Sequence, residues 1–224
     1  MTRAMISILA TGFGAFPGVK DNPSATLMHA LMAQRDRFAR LGIGLEVRIL
    51  PVIYDGLAER LTALTNETAP EAILHFGVAT RRKMISVEMR ARNLRHPRAT
   101  DAQGARPESS VIERHGPETI PVRIPAAQIA AKMRRAGIAA ELSRDAGRYL
   151  CNAALYETLR ARPRTPVGFI HIPLPDHHGV PDFADIVAAA DIAIIAVAGY
   201  VRQTQSLSRY DAAHRIWQDN PAHG

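Results

Sequence analysis

Short apolar runs alternate along this chain with longer amphipathic stretches, and glycine, proline or polar clusters punctuate the boundaries. That alternation admits few architectures, because each buried strand needs helices to cover it, and it predicts an α/β fold. Met5 to Ala10 reads as a first strand, and residues 11–22, with Gly12, Gly14, Pro17 and Gly18, read as a loop. Asn22-Pro23-Ser24 carries a helix start, Asn22 as N-cap and Pro23 in the first turn. Leu27, Met28, Leu31 and Met32 share one helical face, which Phe38 and Leu41 extend to Gly42. Leu45–Ile53 alternates as a strand, Leu57–Leu64 is helical, and Ala72–Gly77 fits a buried central strand. Ser86 to Arg92 alternates Val87, Met89 and Ala91 against Ser86, Glu88, Arg90 and Arg92, as a strand with one polar face would. Residues 95–118 form the longest stretch without periodicity, and loops of that length inside compact domains are usually functional. A helix over Ala126–Arg135, a strand near Ala139–Leu142, a helix over Leu150–Arg160, a strand at Val167–Ile172 and a long helix from Asp182 complete the series. No repeat or linker divides the chain, so the expectation is one domain over 1–224, with about 205–224 as a peripheral tail.

The N-terminal apolar stretch is too short for a signal peptide's core and reads better as that first strand. Ile186–Val201, the most apolar segment, carries Asp191 and falls short of the roughly 20 residues that span a bilayer. With a single cysteine as well, the expected setting is cytoplasmic, with no membrane partner. A formal charge of +7 invites a nucleic-acid reading. The basic residues, however, are scattered and nearly all arginine, Lys20, Lys83 and Lys132 being the only lysines. Even the densest clusters, Arg81-Arg82-Lys83 and Arg134-Arg135, lack interleaved aromatics and read as solvated faces, so no nucleic-acid partner is expected.

Cys151 cannot form an intramolecular disulfide, and a free thiol either packs as a small hydrophobe or reacts. It follows Gly147, where an alanine-rich amphipathic stretch with Ala153, Ala154, Leu155 and Leu159 begins. At a helix N-terminus, unpaired N–H groups and the dipole would lower a thiol pKa and could hold an oxyanion. His171 ends the apolar strand Val167–Ile170, at the kind of strand end where open α/β sheets carry their sites. His177 and His178 raise a metal, but no further ligand pattern accompanies them and they read as a solvated turn. His29 and His75 lie on expected core elements and read as satisfied structural histidines. Glu88 alone is a solvated edge position; joined to a cysteine and a histidine, it could fix an imidazole tautomer.

In order along the chain, Thr11–Gly18 with Asn22-Pro-Ser24, Ile85-Ser-Val-Glu88 with Asn93, Asp145–Asn152 and Gly168–Pro173 resemble the pyroglutamyl peptidase I (pyrrolidone carboxyl peptidase) family of cysteine peptidases. The resemblance covers nearly the whole chain. It implies a single α/β/α sandwich domain with a mixed, mostly parallel twisted central sheet, and a triad of Glu88, Cys151 and His171. It implies removal of N-terminal pyroglutamate from peptides through a thioacyl intermediate, with no metal or organic cofactor. Arg98 matches an arginine acting at the oxyanion beside the Cys151 N–H, and Phe13 and Phe16 match an aromatic pair that sandwiches the lactam ring. Val78, Ala99, Tyr149 and Leu150 complete the implied substrate pocket. Self-association to a dimer or tetramer is the family tendency.

The departures gather at that pocket: many bacterial members have glutamine at Val78, Gly-Gly at Thr80-Arg81 and isoleucine-proline at Ala99-Thr100. Losing a side-chain hydrogen bond to the lactam would cost on the order of 1–3 kcal/mol. One alternative is therefore the same thiol chemistry on another small N-acyl group or lactam. A second, of another class, is a non-catalytic protein binding a peptide or nucleic acid through its arginine surface.

Overall fold

A computed structural model describes residues 5–175 and 181–218. Its main sheet has six strands in the order β2 (Ile43–Leu50), β1 (Ile6–Phe13), β3 (Ala72–Val78), β8 (Val167–Ile172), β4 (Ile85–Glu88) and β7 (Ala140–Ser143). All neighbours are parallel except β4 and β8, which run antiparallel. A small antiparallel pair, β5 (Arg90–Arg92) with β6 (Thr119–Pro121), stands apart from this sheet. The result is the mixed, mostly parallel α/β sheet expected from the sequence.

Period-two alternation sends successive side chains to opposite faces and so divides the core into two layers. Ile6, Ile8, Ala10, Leu74, Phe76, Ile85, Val87, Ile170 and Ile172 pack beneath α1 (Pro23–Ala33), α2 (Arg35–Arg40), α4 (Ala126–Arg135) and α6 (Phe183–Gln218). Leu9, Phe13, Ile73, Val167 and Phe169 pack beneath α3 (Leu57–Thr68) and α5 (Leu150–Ala161). Strands buried on both faces explain why β3 and β8 read as continuous apolar runs.

Several sequence expectations need revision. The first strand continues through Thr11, Gly12 and Phe13, residues expected to be loop. Glycine is required at 12 because a Cβ there would lie 2.4 Å from the Ser24 carbonyl oxygen, where α1 starts against the strand. That start is as expected: the Asn22 side chain accepts from the Ser24 N–H at 3.0 Å, and Pro23 follows it. The helix expected to run to Gly42 instead breaks at Gln34, leaving Met32 and Leu41 exposed while Phe38 turns into the core. Ser86–Arg92 is not one strand with a polar face: it divides at Met89, and every residue of β4 is buried. Ser86 and Glu88 tolerate burial because each has a partner; Ser86 Oγ donates to Glu141 at 2.8 Å.

The most apolar segment is longer than its sequence suggested. Phe183–Ser208 is long and apolar enough to cross a membrane, yet half of its apolar 18-residue window is buried inside the fold. Ile186, Ala189, Ala190, Ala193, Val197 and Val201 recur at helical spacing and pack on the sheet, which accounts for the apolarity without a bilayer. Asp191 within this run pairs with Arg37 of α2. His177 and His178 lie outside the described residues.

His75, fully buried on β3, bonds Thr11 Oγ1 at 2.7 Å and Thr158 Oγ1 at 3.1 Å, as a satisfied structural histidine. His29, expected to be the same, is exposed on the outer face of α1. Burial pushes the His75 pKa down to about 3. The unfolded chain takes up this proton near pH 6.5 while the folded chain does not, so stability present above that pH is lost as pH falls towards 3. The slope is about 1.4 kcal/mol per pH unit, or roughly 2 kcal/mol between pH 7 and 5. Urea unfolding at the two pH values reads it, and equal midpoints would contradict this assignment.

Candidate active site

The α5-facing side of the sheet collects the polar residues that the sequence left scattered. Gly77 and His171 are register partners across β3 and β8, and Ser86 is opposite His171 across β4. Glu88, two positions beyond Ser86, returns to that same face beside the ring. Above them α5 begins, with Cys151 as its second residue. Gly77 leaves the space that the sulfur fills: a Cβ at 77 would lie 2.9 Å from Cys151 Sγ and 2.8 Å from Phe169 Cζ.

The approach to α5 is a bonded turn. Ser143 Oγ accepts from the Asp145 N–H at 3.2 Å, and Asp145 Oδ1 accepts from the Gly147 N–H at 3.1 Å. Asn152, fully buried next to the cysteine, pins the helix start to β5. Its Oδ1 accepts from the Arg92 N–H at 2.8 Å, and its Nδ2 donates to Arg92 O and Leu94 O at 2.7 and 2.9 Å. A side chain satisfied on both ends fixes the backbone that carries Cys151.

His171 Nδ1 lies 2.7 Å from Glu88 Oε1, with both side chains buried. Burial alone would raise the Glu88 pKa, but the His171 bond and charge, with Arg82 beside it, hold the carboxyl below its ordinary value. An ionised carboxylate only accepts, so the ring proton sits on Nδ1 and Nε2 keeps its lone pair. Burial also lowers the His171 pKa, against the pull of Glu88.

The cysteine departs from its sequence expectation. Its thiol is pushed up to about 12, first by burial and then by the Glu88 charge; its own backbone N–H and Arg82 offset only part of this. A helix terminus contributes about 0.3–1 kcal/mol, too little to outweigh desolvation of a buried charge. The resting pair is therefore a neutral thiol and a neutral imidazole. No hydrogen bond joins sulfur to ring, although both line one open cavity of about 550 Å³ with Arg81, Arg82, Asp145 and Gly147.

Cys151 also lines a second, far smaller recess of about 20 Å³ with Phe13, Phe16, Val78, Tyr149 and Leu150. Five of the sequence-derived pocket residues thus come together at the sulfur. Asn22 and Val52 join them and were not anticipated. Asn22 was legible only as a helix cap, and its polar atoms are engaged by Gly14 O at 2.8 Å and by Ser24. Phe16 and Tyr54 pack on Tyr149, whose hydroxyl donates to Thr100 O at 2.8 Å. Arg98 and Ala99 line neither cavity. Arg98 is exposed, its N–H donating to His96 Nδ1 at 3.2 Å. Arg82, expected on a solvated face, is instead part of the site: it donates to Glu88 Oε1 at 2.6 Å.

A cavity of about 650 Å³ at the opposite end of the sheet, lined by Glu71, Arg123, Arg164 and Tyr200 among others, holds neither the cysteine nor His171. Among the described residues there is no cluster of three or more His, Cys, Asp or Glu that could hold a metal ion.

The family model for pyroglutamyl peptidase matches residues 6–200. The pyrrolidone-carboxylate peptidase of Thermococcus onnurineus is 36% identical over 172 residues, covering 75% of this chain and 84% of that protein. Pyrrolidone-carboxylate peptidase 1 of Photorhabdus laumondii is 33% identical over 206 residues, covering 85% and 92%. Among solved structures, pyroglutamyl peptidase I of Bacillus amyloliquefaciens superposes with a TM-score of 0.76 at 27% identity, covering 88% of this chain and 98% of that one. The pyrrolidone carboxyl peptidase of Thermus thermophilus gives 0.75 at 34% identity, covering 84% and 99%. The family match, the identity to these relatives and the likeness of fold lead to one conclusion: this chain belongs to the pyroglutamyl peptidase family.

Proposed function

We propose that this chain hydrolyses the bond after an N-terminal pyroglutamyl residue, with Cys151 as nucleophile, His171 as general base and acid, and Glu88 orienting His171. The observation that carries the reading is the position of Cys151 between two unlike spaces. The recess is uncharged, bounded by Val52, Asn22 and Phe13, and at about 20 Å³ must widen around any acyl group, which favours a compact ring with nothing preceding it. The open cavity, which holds His171, suits the remainder of the peptide. A bond lying at the sulfur between them is one residue from the N-terminus.

With the thiol pushed up to about 12, little of it is ionised unaided at pH 7, so attack is coupled to proton transfer. The thiol proton passes to His171 Nε2 as Sγ bonds the carbonyl carbon, and the oxyanion forms beside the backbone N–H of Cys151. Collapse breaks the C–N bond, and Nε2 returns its proton to the departing amine. Water, deprotonated by the same nitrogen, then cleaves the thioester to release pyroglutamate and restore the thiol. Glu88 stabilises the imidazolium in both halves.

Release of an arylamine from pyroglutamyl, prolyl and N-acetylalanyl arylamides tests the proposal. The prolyl compound brings a charged amine into an apolar recess and is expected to be rejected strongly. Apart from the nucleophile, the hydrogen-bonding side chains of the recess, Asn22 and Tyr149, are already engaged, so discrimination against the N-acetylalanyl compound rests on shape and is expected at roughly 10–200-fold. Preferred cleavage of a non-pyroglutamyl substrate would overturn the assignment.

A further inference from the structure

Arg82 makes three contacts that the proposed mechanism does not use. Its Nη1 donates to Glu88 Oε1 at 2.6 Å, and its Nη2 donates to Ser143 Oγ at 3.1 Å and to the Asp145 carbonyl at 2.6 Å. Ser143 ends β7, and Asp145 lies in the bonded turn that leads into α5 and Cys151. One guanidinium thus bridges the carboxylate behind His171 and the backbone that delivers the nucleophile. Its fork suits this, since the two terminal nitrogens can reach acceptors on separate segments, Nη1 one and Nη2 two. Glu88 Oε1 accepts from both Arg82 and His171, while its buried Oε2 has no partner. The arginine and the imidazole therefore share one oxygen, each on its own lone pair.

We infer that Arg82 is a positioning residue for the reaction: it holds Glu88 against His171 and ties that pair to the turn that carries Cys151. The inference rests on the assignment of Glu88, Cys151 and His171 proposed above. Its electrostatic consequence has a definite sign. The described charged and titratable groups acting on His171 are Glu88 from β4, Arg82 from the β3–β4 connection and Asp145 from the turn before α5, with Cys151 sharing its cavity from α5. Within that set Arg82 opposes imidazolium and favours thiolate, whereas Glu88 does the reverse.

The test is the pH profile of kcat/KM on a pyroglutamyl arylamide for wild type, Arg82→Gln, Arg82→Lys and Glu88→Gln, with thermal unfolding of each. Arg82→Gln is expected to lower kcat on the order of 10²-fold through misplacement. Its acid limb is expected to move to higher pH, so the loss is greater on the acid side of the profile than on the alkaline side. Arg82→Lys keeps the charge but not the fork; its limb should stay near that of wild type while kcat still falls. Glu88→Gln is expected to move the limb the opposite way. If Arg82→Gln only lost stability, or lost kcat equally at every pH, Arg82 would be a structural tether and the inference would be wrong. If Arg82→Gln does not fold, an unmoved kcat in Arg82→Lys, or a limb displaced in it, overturns the inference in its place. An inactive wild type would instead overturn the assignment of the reaction itself.

Discussion

Cys151→Ala is expected to lower kcat by on the order of 10⁴–10⁶-fold, since the residues of such a set act as a unit and little catalysis survives without the nucleophile. The substitution removes only a sulfur that packs over Gly77, so the fold should remain. Binding of pyroglutamate should remain too, because the rest of the recess wall, Phe13, Phe16, Val78 and Leu150, is untouched. Calorimetric binding beside a turnover assay separates the two effects. Cys151→Ser should be nearly as damaging: a hydroxyl is a poorer nucleophile, and this site pushes even a thiol up to about 12. Activity in Cys151→Ala within tenfold of wild type would rule out covalent thiol catalysis.

Glu88→Gln should lower kcat by about 10³–10⁴-fold with the nucleophile intact. A glutamine amide can donate to His171 Nδ1, which would leave the proton on Nε2 and remove the lone pair that must accept the thiol proton. It also leaves the imidazolium without its counter-ion and Arg82 without its carboxylate, 2.6 Å away. Stability should fall as well, because a buried ion pair loses one partner. Single-turnover kinetics well below the unfolding midpoint keep that loss apart from the chemical step. Since Glu88 raises the His171 pKa, the acid limb of any residual activity should lie lower than in wild type. A limb that rose, or a rate within tenfold of wild type, would mean that Glu88 does not orient the imidazole.

Much of the scaffold was legible because local chemistry and tertiary role agree. The helix Ala126–Arg135 and the strand Val167–Ile172 have the bounds their periodicity implies, and Asn22 caps where it should. Errors arose where polar residues are buried in pairs. Ser86 and Glu88 look like the solvent face of a strand, and only the neighbours β7 and β8 reveal that they are enclosed. Arg82 reads as one of three adjacent cations, since the acceptors it meets lie 6 to 63 positions away. Its one available signal was its place at the entry to the strand that carries Glu88. The thiol pKa shifts opposite to the sequence expectation because a helix terminus is visible in sequence and desolvation is not. The order of motifs carried the family. The contacts at Arg98 and Ala99 depend on the long irregular segment, whose path no periodicity encodes.

Whether an acyl group passes through Cys151 is tested most directly by mass spectrometry of enzyme quenched in acid during turnover of a pyroglutamyl ester, followed by peptide mapping. The account predicts one added pyroglutamyl group, on the peptide containing Cys151, that disappears as substrate is exhausted. Under single-turnover conditions, turnover with no adduct at any time, or an adduct on another residue, would contradict it.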